Sequence, residues 1–135
     1  MNNSKMKVLV VDDDSTMRMI LRAILGRLGF PCIEEAVDGL AALQMLRSGM
    51  MFDLVFTDWE MPNMFGIDLV RNIRADSRLT HLPVVMMTAT PTTARAVEAA
   101  KAGADGFLVK PFTLGDVSEQ IETILAIVAS REDMK

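Results

Sequence analysis

The sequence predicts a doubly wound α/β domain, five parallel strands with helices on both faces, and three observations predict it. Short Val- and Leu-rich runs of buried-strand type alternate with segments of helical period along all 135 residues. The connections are short, and no repeat, low-complexity tract or linker interrupts them, so right-handed βαβ crossovers are the natural topology. Four of the runs end at polar residues that can do chemistry: Val8–Val11 at Asp12, Asp13 and Asp14, Leu54–Thr57 at Asp58, Pro83–Met87 at Thr88, and Gly106–Val109 at Lys110. In an open parallel sheet such residues gather at the carboxyl edge, where ligands bind.

Lys7–Val11 is continuous and aliphatic, a buried strand. From Ser15 the period turns helical, with Met17, Ile20, Leu21, Ile24, Leu25 and Leu28 on one stripe. Asp14 or Ser15 caps its start and Gly29 ends it. Cys32–Ala36 is a weak strand. Gly39–Arg47 is a helix with Leu40, Leu43 and Leu46 inward, ending near Gly49. Leu54–Thr57 is a strong strand, and Trp59–Gly66 is a loop by its Pro62, Asn63 and Gly66.

Ile67–Ala75 follows as a helix with Leu69, Val70 and Ile73 inward, then Pro83–Met87 as a strand. Thr90 and Pro91 read as a cap and first turn of a helix reaching about Ala102, with a small buried face of Ala96, Val97, Ala99 and Ala100. Gly106–Val109 is the last strand. Leu114–Ala129 is the last helix, with Val117, Ile121, Ile124, Leu125 and Val128 on one side.

The length fits a single domain over residues 1–135, with a core of about 6–129 and no second domain. Half the residues are hydrophobic and the net charge is −4, with lysines and arginines scattered, which argues against a nucleic-acid surface. The one cysteine, Cys32, excludes an internal disulfide and fits a reducing cytoplasm. The N-terminal apolar run is too short for an export signal or a membrane span. Twelve methionines read as flexible core filler, with Met61 and Met64 as an alternative partner-contacting pair in a loop. His81 carries no signal beyond a loop filler.

Where strands one and three are neighbours, as in the order 2-1-3-4-5, Asp12 and Asp13 face Asp58. Two carboxylates about 4 Å apart repel by roughly 4 kcal/mol at an effective dielectric of 20, so a cation is expected among them. Hard oxygen ligands suit Mg²⁺, with Mn²⁺ as a substitute. A carboxylate beside such a metal is placed to attack phosphorus and form an aspartyl phosphate. The Lys110 ammonium and the Thr88 hydroxyl supply charge and a hydrogen bond to phosphoryl oxygens. Lys110-Pro111 is also a candidate cis peptide.

The stretches Val10-Val-Asp-Asp-Asp-Ser-Thr-Met-Arg18, Asp58-Trp-Glu-Met-Pro-Asn-Met64, Thr88-Ala89 and Val109-Lys-Pro-Phe-Thr113 resemble the receiver domain of two-component response regulators. The resemblance spans nearly the whole chain, and within the family it leans to the single-domain chemotaxis regulators. It implies a flavodoxin-like (βα)5 fold, a sheet in the order 2-1-3-4-5, and a cytoplasmic monomer that does not turn over a substrate. Asp58 would accept a phosphoryl group from a phosphohistidine on a sensor kinase. Asp13 would ligate Mg²⁺ directly, Asp12 through water, and Asp58 and the Glu60 backbone carbonyl would complete the set. Thr88 and Lys110 would bind the phosphoryl oxygens. Phe107 would turn inward as Thr88 moves, changing the face of helix four, strand five and helix five that partners read. A phosphatase is a further partner on this reading; neither nucleic acid nor membrane is.

The sequence departs from that pattern in places. Asp14 stands where these relatives commonly have Phe, and Phe65 replaces an acid before Gly66 with an expected change in loop packing only. Glu60 stands where they commonly have Asn, and its carboxylate is expected to touch the attacking water, the metal or Lys110. Phe107 lacks the hydroxyl of the usual Tyr. Thr92, Thr93, Gln120 and Thr123 occupy places where chemotaxis relatives carry lysines, so binding to the acidic flagellar switch segment is expected to be weak. A rival reading is a haloacid-dehalogenase-type phosphatase with Asp12 as nucleophile and Asp14 as acid. The missing cap domain and the position of Asp58 argue against it. The full set Asp13, Asp58, Thr88 and Lys110 argues against a binding module without phosphorylation, and three aspartates after strand one argue against a flavin phosphate site.

Overall fold

A computed structural model describes residues 5–133, with side chains through Arg131. The elements run β1 (Lys7–Val11), α1 (Ser15–Arg27), β2 (Cys32–Ala36), α2 (Gly39–Arg47) and β3 (Leu54–Asp58). They continue as α3 (Gly66–Ala75), β4 (Val84–Thr88), α4 (Thr93–Ala102), β5 (Gly106–Val109) and α5 (Leu114–Asp133). All four strand pairings are parallel, and the order is β2-β1-β3-β4-β5, as expected.

Side chains alternate across the sheet, so each strand feeds two cores. Leu9, Val11, Val55, Val84 and Met86 pack with Leu43, Leu46, Leu69, Val70 and Ile73 beneath α2 and α3. Val8, Val10, Leu54, Phe56, Val85 and Met87 pack with Leu21, Leu25, Val117, Ile121 and Ile124 of α1 and α5. The three central strands are buried on both faces, which is why they read as unbroken apolar runs.

The caps follow local chemistry. Asp14 caps α1 by accepting from the Thr16 amide, and Asp38 caps α2 by accepting from the Ala41 amide. Asp38 is held below the ordinary carboxylate range by the Ala41 N–H and then by Asn63. The Asn63 bond ties the β3–α3 loop to α2, and Asn63 itself has φ 68°. Phe65 occupies the cap position of α3 without a side-chain hydrogen bond.

Several local expectations are corrected. Ile20 and Leu40 lie outside the buried faces of α1 and α2, and Ala42 is buried in α2 instead. A doubly wound helix rests on the sheet along a narrow strip, so residues at the stripe's margin reach solvent. Helix α4 begins at Thr93, capped by Thr92, not at Thr90-Pro91. Thr92 Oγ1 meets the Arg95 amide, a bond that Thr90, two residues earlier, is too far back to make. Of the four residues expected on the buried face of α4, only Ala99 is buried, and Val97 is 46% exposed. Helix α5 runs on to Asp133.

Candidate functional site

The backbone ladder runs one residue past the strands and fixes the site. The Asp12 amide donates to Ala36, the Trp59 amide to Met87 and the Lys110 amide to Thr88, at 3.1, 3.0 and 2.8 Å between heavy atoms. The Lys110-Pro111 bond is cis. Gly66 packs against the acid: a Cβ there would collide with the Asp58 carbonyl oxygen. Its amide also donates to the Trp59 carbonyl at 2.8 Å.

Asp12, Asp13 and Asp58 offer carboxylate oxygens that all lie within 4.8 Å of one another. Asp12 is 1% exposed and Asp58 9%. The Lys110 ammonium reaches both, 2.7 Å from Asp12 Oδ2 and 3.1 Å from Asp58 Oδ1. Like charges at this spacing repel by about 3 kcal/mol per pair at an effective dielectric of 20. Three carboxylates against one ammonium leave two negative charges, which a single divalent cation balances. The oxygen-only donor set suits Mg²⁺.

The two oxygens of each acid differ. Asp12 Oδ1 accepts the Asp14 amide and Oδ2 accepts Lys110, so both are engaged by the protein. That suits an acid acting on a metal through water. Asp58 Oδ1 accepts the Trp59 amide at 2.9 Å and pairs with Lys110, leaving Oδ2 without a hydrogen bond among the described residues. Burial, then the charge of Asp12, pushes the Asp58 carboxyl above its ordinary pKa. Burial pushes Lys110 down, but its bonds to Asp12 and the two carboxylate charges outweigh this and hold it above its ordinary value.

Thr88 is buried, and its Oγ1 accepts from the Thr90 amide and from Arg95 Nη1, both at 3.0 Å. Asp14 is an exposed helix cap outside the carboxylate cluster, as its position after the strand suggested.

A family model described as "Response regulator receiver domain" matches residues 8–122. The chain belongs to the response regulator receiver domain family. The receiver is 53% identical over 122 residues to the chemotaxis protein CheY-3 of Vibrio cholerae serotype O1, covering 90% of this chain and 93% of that protein. It is 55% identical over 119 residues to the chemotaxis protein CheY of Pseudomonas aeruginosa, covering 88% and 95%. Among solved structures it is similar to CheY4 of Vibrio cholerae, with a TM-score of 0.81 and 31% identity over 88% of this chain and 98% of that one. It is similar also to the response regulator TrrA of Thermotoga maritima in complex with Mg²⁺-BeF, with a TM-score of 0.77 and 29% identity over the same shares.

The receiver brings together Asp12, Asp13, Asp58 and Lys110 and sets Thr88 at the adjoining strand end. It does not bring in the Glu60 carboxylate. Glu60 turns outward, 63% exposed, and pairs with Arg95 Nη2 at 2.6 Å rather than with Lys110 or the acids. The cationic fork of Arg95 is nearer and less crowded than Lys110, which two acids already hold. Met61 is buried and Met64 packs against the same core, so neither forms an exposed contact pair. Phe107 is partly buried on β5 against that core, and its amide donates to Gln120 Oε1 at 3.2 Å. Gln120 is thereby a structural residue of the α5–β5 junction, whereas Thr92, Thr93 and Thr123 are exposed.

Two arginines escaped the sequence reading. Arg18 Nη1 donates to the Asp12 carbonyl at 2.6 Å and its Nε to Glu35 at 2.9 Å. Arg95 joins Thr88 and Glu60, with its guanidinium 4.8 Å from the centroid of the Trp59 ring. Their partners lie on other strands and loops, so only a helical offset from a capped N-terminus could have pointed to them. No helix among the described residues is long and apolar enough to cross a membrane.

Proposed function

We propose that this receiver takes a phosphoryl group onto Asp58 from a phosphohistidine of a chemotaxis-type sensor kinase, as a single cytoplasmic signalling module rather than a turnover enzyme. The observation that carries the reading is Asp58 itself. It is nearly buried, its Oδ1 is held by the Trp59 amide and Lys110, and its Oδ2, beside acids and an ammonium, accepts no hydrogen bond among the described residues. In the transfer Oδ2 forms the new O–P bond as the P–N bond of the donor histidine breaks, and the imidazole leaves with the electron pair. Lys110 and the Thr88 hydroxyl then contact the phosphoryl oxygens.

Asp13, Asp58, Asp12 through water, and the Glu60 carbonyl would hold Mg²⁺, or Mn²⁺ in its place. When bound it offsets negative charge on the phosphoryl oxygens. The TrrA relative, described in complex with Mg²⁺-BeF, supports this assignment. The similarity to chemotaxis proteins supports a signalling output through the α4-β5-α5 face, with Phe107 and Thr88 as switch residues. Exposed threonines at 92, 93 and 123, in place of cations, support weak binding to an acidic flagellar switch segment.

Trp59, the one tryptophan, adjoins Asp58 and tests the reading. Its fluorescence is expected to change on addition of Mg²⁺ and again with acetyl phosphate. A folded protein that responds to neither contradicts the proposal.

A further inference from the structure

Arg95 is the third residue of α4, and its guanidinium makes three contacts with the phosphorylation pocket. Nη1 donates to Thr88 Oγ1 at 3.0 Å, Nη2 pairs with Glu60 Oε1 at 2.6 Å, and the plane lies 4.8 Å from the Trp59 ring centroid. Thr88 Oγ1 also accepts the Thr90 amide at 3.0 Å. Two donors therefore fill the acceptor positions of a hydroxyl oxygen in a buried residue, and both come from the β4–α4 side.

The helix that carries Arg95 is weakly seated. Its only buried residue is Ala99, against five for α3. Few apolar contacts mark an element that moves at low cost. The planar fork of Arg is suited to bridging two acceptors at once, which the single ammonium of Lys does less well.

We propose that Arg95 is a positioning residue that clasps the Thr88 hydroxyl to α4 in the unphosphorylated protein, with Glu60 and Trp59 holding the guanidinium in place. This rests on Asp58 as phosphoacceptor and adds the contact that opposes the switch. For Thr88 to close on a phosphoryl group at Asp58, its bond to a guanidinium anchored at two other points must stretch or break. Breaking it frees the first turn of α4, so the clasp couples the chemistry to the face that partners read. It also gives the outward-turned Glu60 a role, as the anchor of Arg95.

The opposite role for Arg95 is attraction of an anionic phosphodonor, and the two differ in sign. In the full chain at saturating Mg²⁺, beryllium fluoride is titrated and followed by Trp59 fluorescence and by calorimetry, because Arg95 variants alter the Trp59 surroundings directly. Arg95→Ala is expected to lower the half-saturating concentration by roughly three- to tenfold, the net effect of one ordinary hydrogen bond. Glu60→Gln is expected to shift it the same way by less, and to add nothing in the Arg95→Ala background. Arg95→Lys is expected to follow Arg95→Ala.

An unchanged or raised half-saturating concentration in Arg95→Ala overturns the clasp, as does a Glu60→Gln effect that persists undiminished without Arg95. Absence of any response in the wild-type protein overturns the phosphoacceptor reading and the clasp with it.

Discussion

The Lys110 ammonium sits 2.7 Å from Asp12 Oδ2, nearer than to Asp58, and Asp12 is all but inaccessible to solvent. In the unphosphorylated protein the lysine is therefore first of all the counter-ion of a buried aspartate. Removing one partner of a buried pair strands the other, at a cost of about 3–5 kcal/mol. Lys110→Met is expected to destabilise the protein by about 3 kcal/mol, and Asp12→Asn to recover much of that in the double variant. Urea unfolding of the four proteins of the cycle measures it. Additive effects would show that the contact carries no coupling.

Asp58 makes the opposite contribution to stability. Burial and Asp12 raise its pKa in the folded protein, so the ionised form is the one folding disfavours. Stability from such a group is full below the unfolded value of about 3.9 and is lost as pH rises through the folded value. At neutral pH without divalent cations, Asp58→Asn is expected to melt about 3–5 °C higher than wild type, the effect of about 1 kcal/mol in a domain of this size. The gap should narrow as pH falls toward 4. Thermal melts across that range in chelator decide it, and a constant or reversed gap would refute it.

The carboxylate cluster predicts linkage to metal. Mg²⁺ at about ten times its dissociation constant is expected to add roughly 1.4 kcal/mol to stability. Asp13→Asn should abolish most of that gain, since Asp13 is the exposed acid of the cluster and Lys110 pairs with the other two. Acidification should weaken the gain, because the ligands must be ionised. A calorimetric titration with Mg²⁺ at two pH values provides the measurement, and equal binding by wild type and Asp13→Asn would contradict it.

Gly66 is predicted to be intolerant of any side chain. A Cβ there would strike the Asp58 carbonyl, which is backbone and cannot swing aside. Gly66→Ala is expected to displace Asp58 and lose phosphorylation even where circular dichroism shows a folded protein. A variant with unaltered phosphorylation kinetics would show that the β3–α3 loop yields without moving the acid.

Much of the site was legible because its residues sit at strand ends. Once β1, β3, β4 and β5 were read as parallel neighbours, Asp12, Asp58, Thr88 and Lys110 had to share an edge. The aliphatic runs of β1, β3 and β4 mark strands buried on both faces, whereas their order is what the family resemblance implies. Helix α4 was misread at its start because Thr90-Pro91 and Thr92 are both acceptable starts, and only the Thr92–Arg95 bond distinguishes them. Its buried face was overestimated because alanines report small size rather than burial. The Glu60–Arg95 pair escapes the sequence because Arg95 lies 35 residues away, on a helix whose expected start is two residues too early. Ion pairs between loop and helix depend on rotation of the helix, which a hydrophobic stripe this thin does not fix.

Intact-mass analysis after incubation with Mg²⁺ and acetyl phosphate tests the central claim most directly. Wild type is expected to gain the mass of one phosphoryl group, in a hydroxylamine-labile linkage, and Asp58→Asn to gain none. A wild-type protein that stays unmodified, or an Asp58→Asn protein modified to the same extent, would contradict Asp58 as the phosphoacceptor.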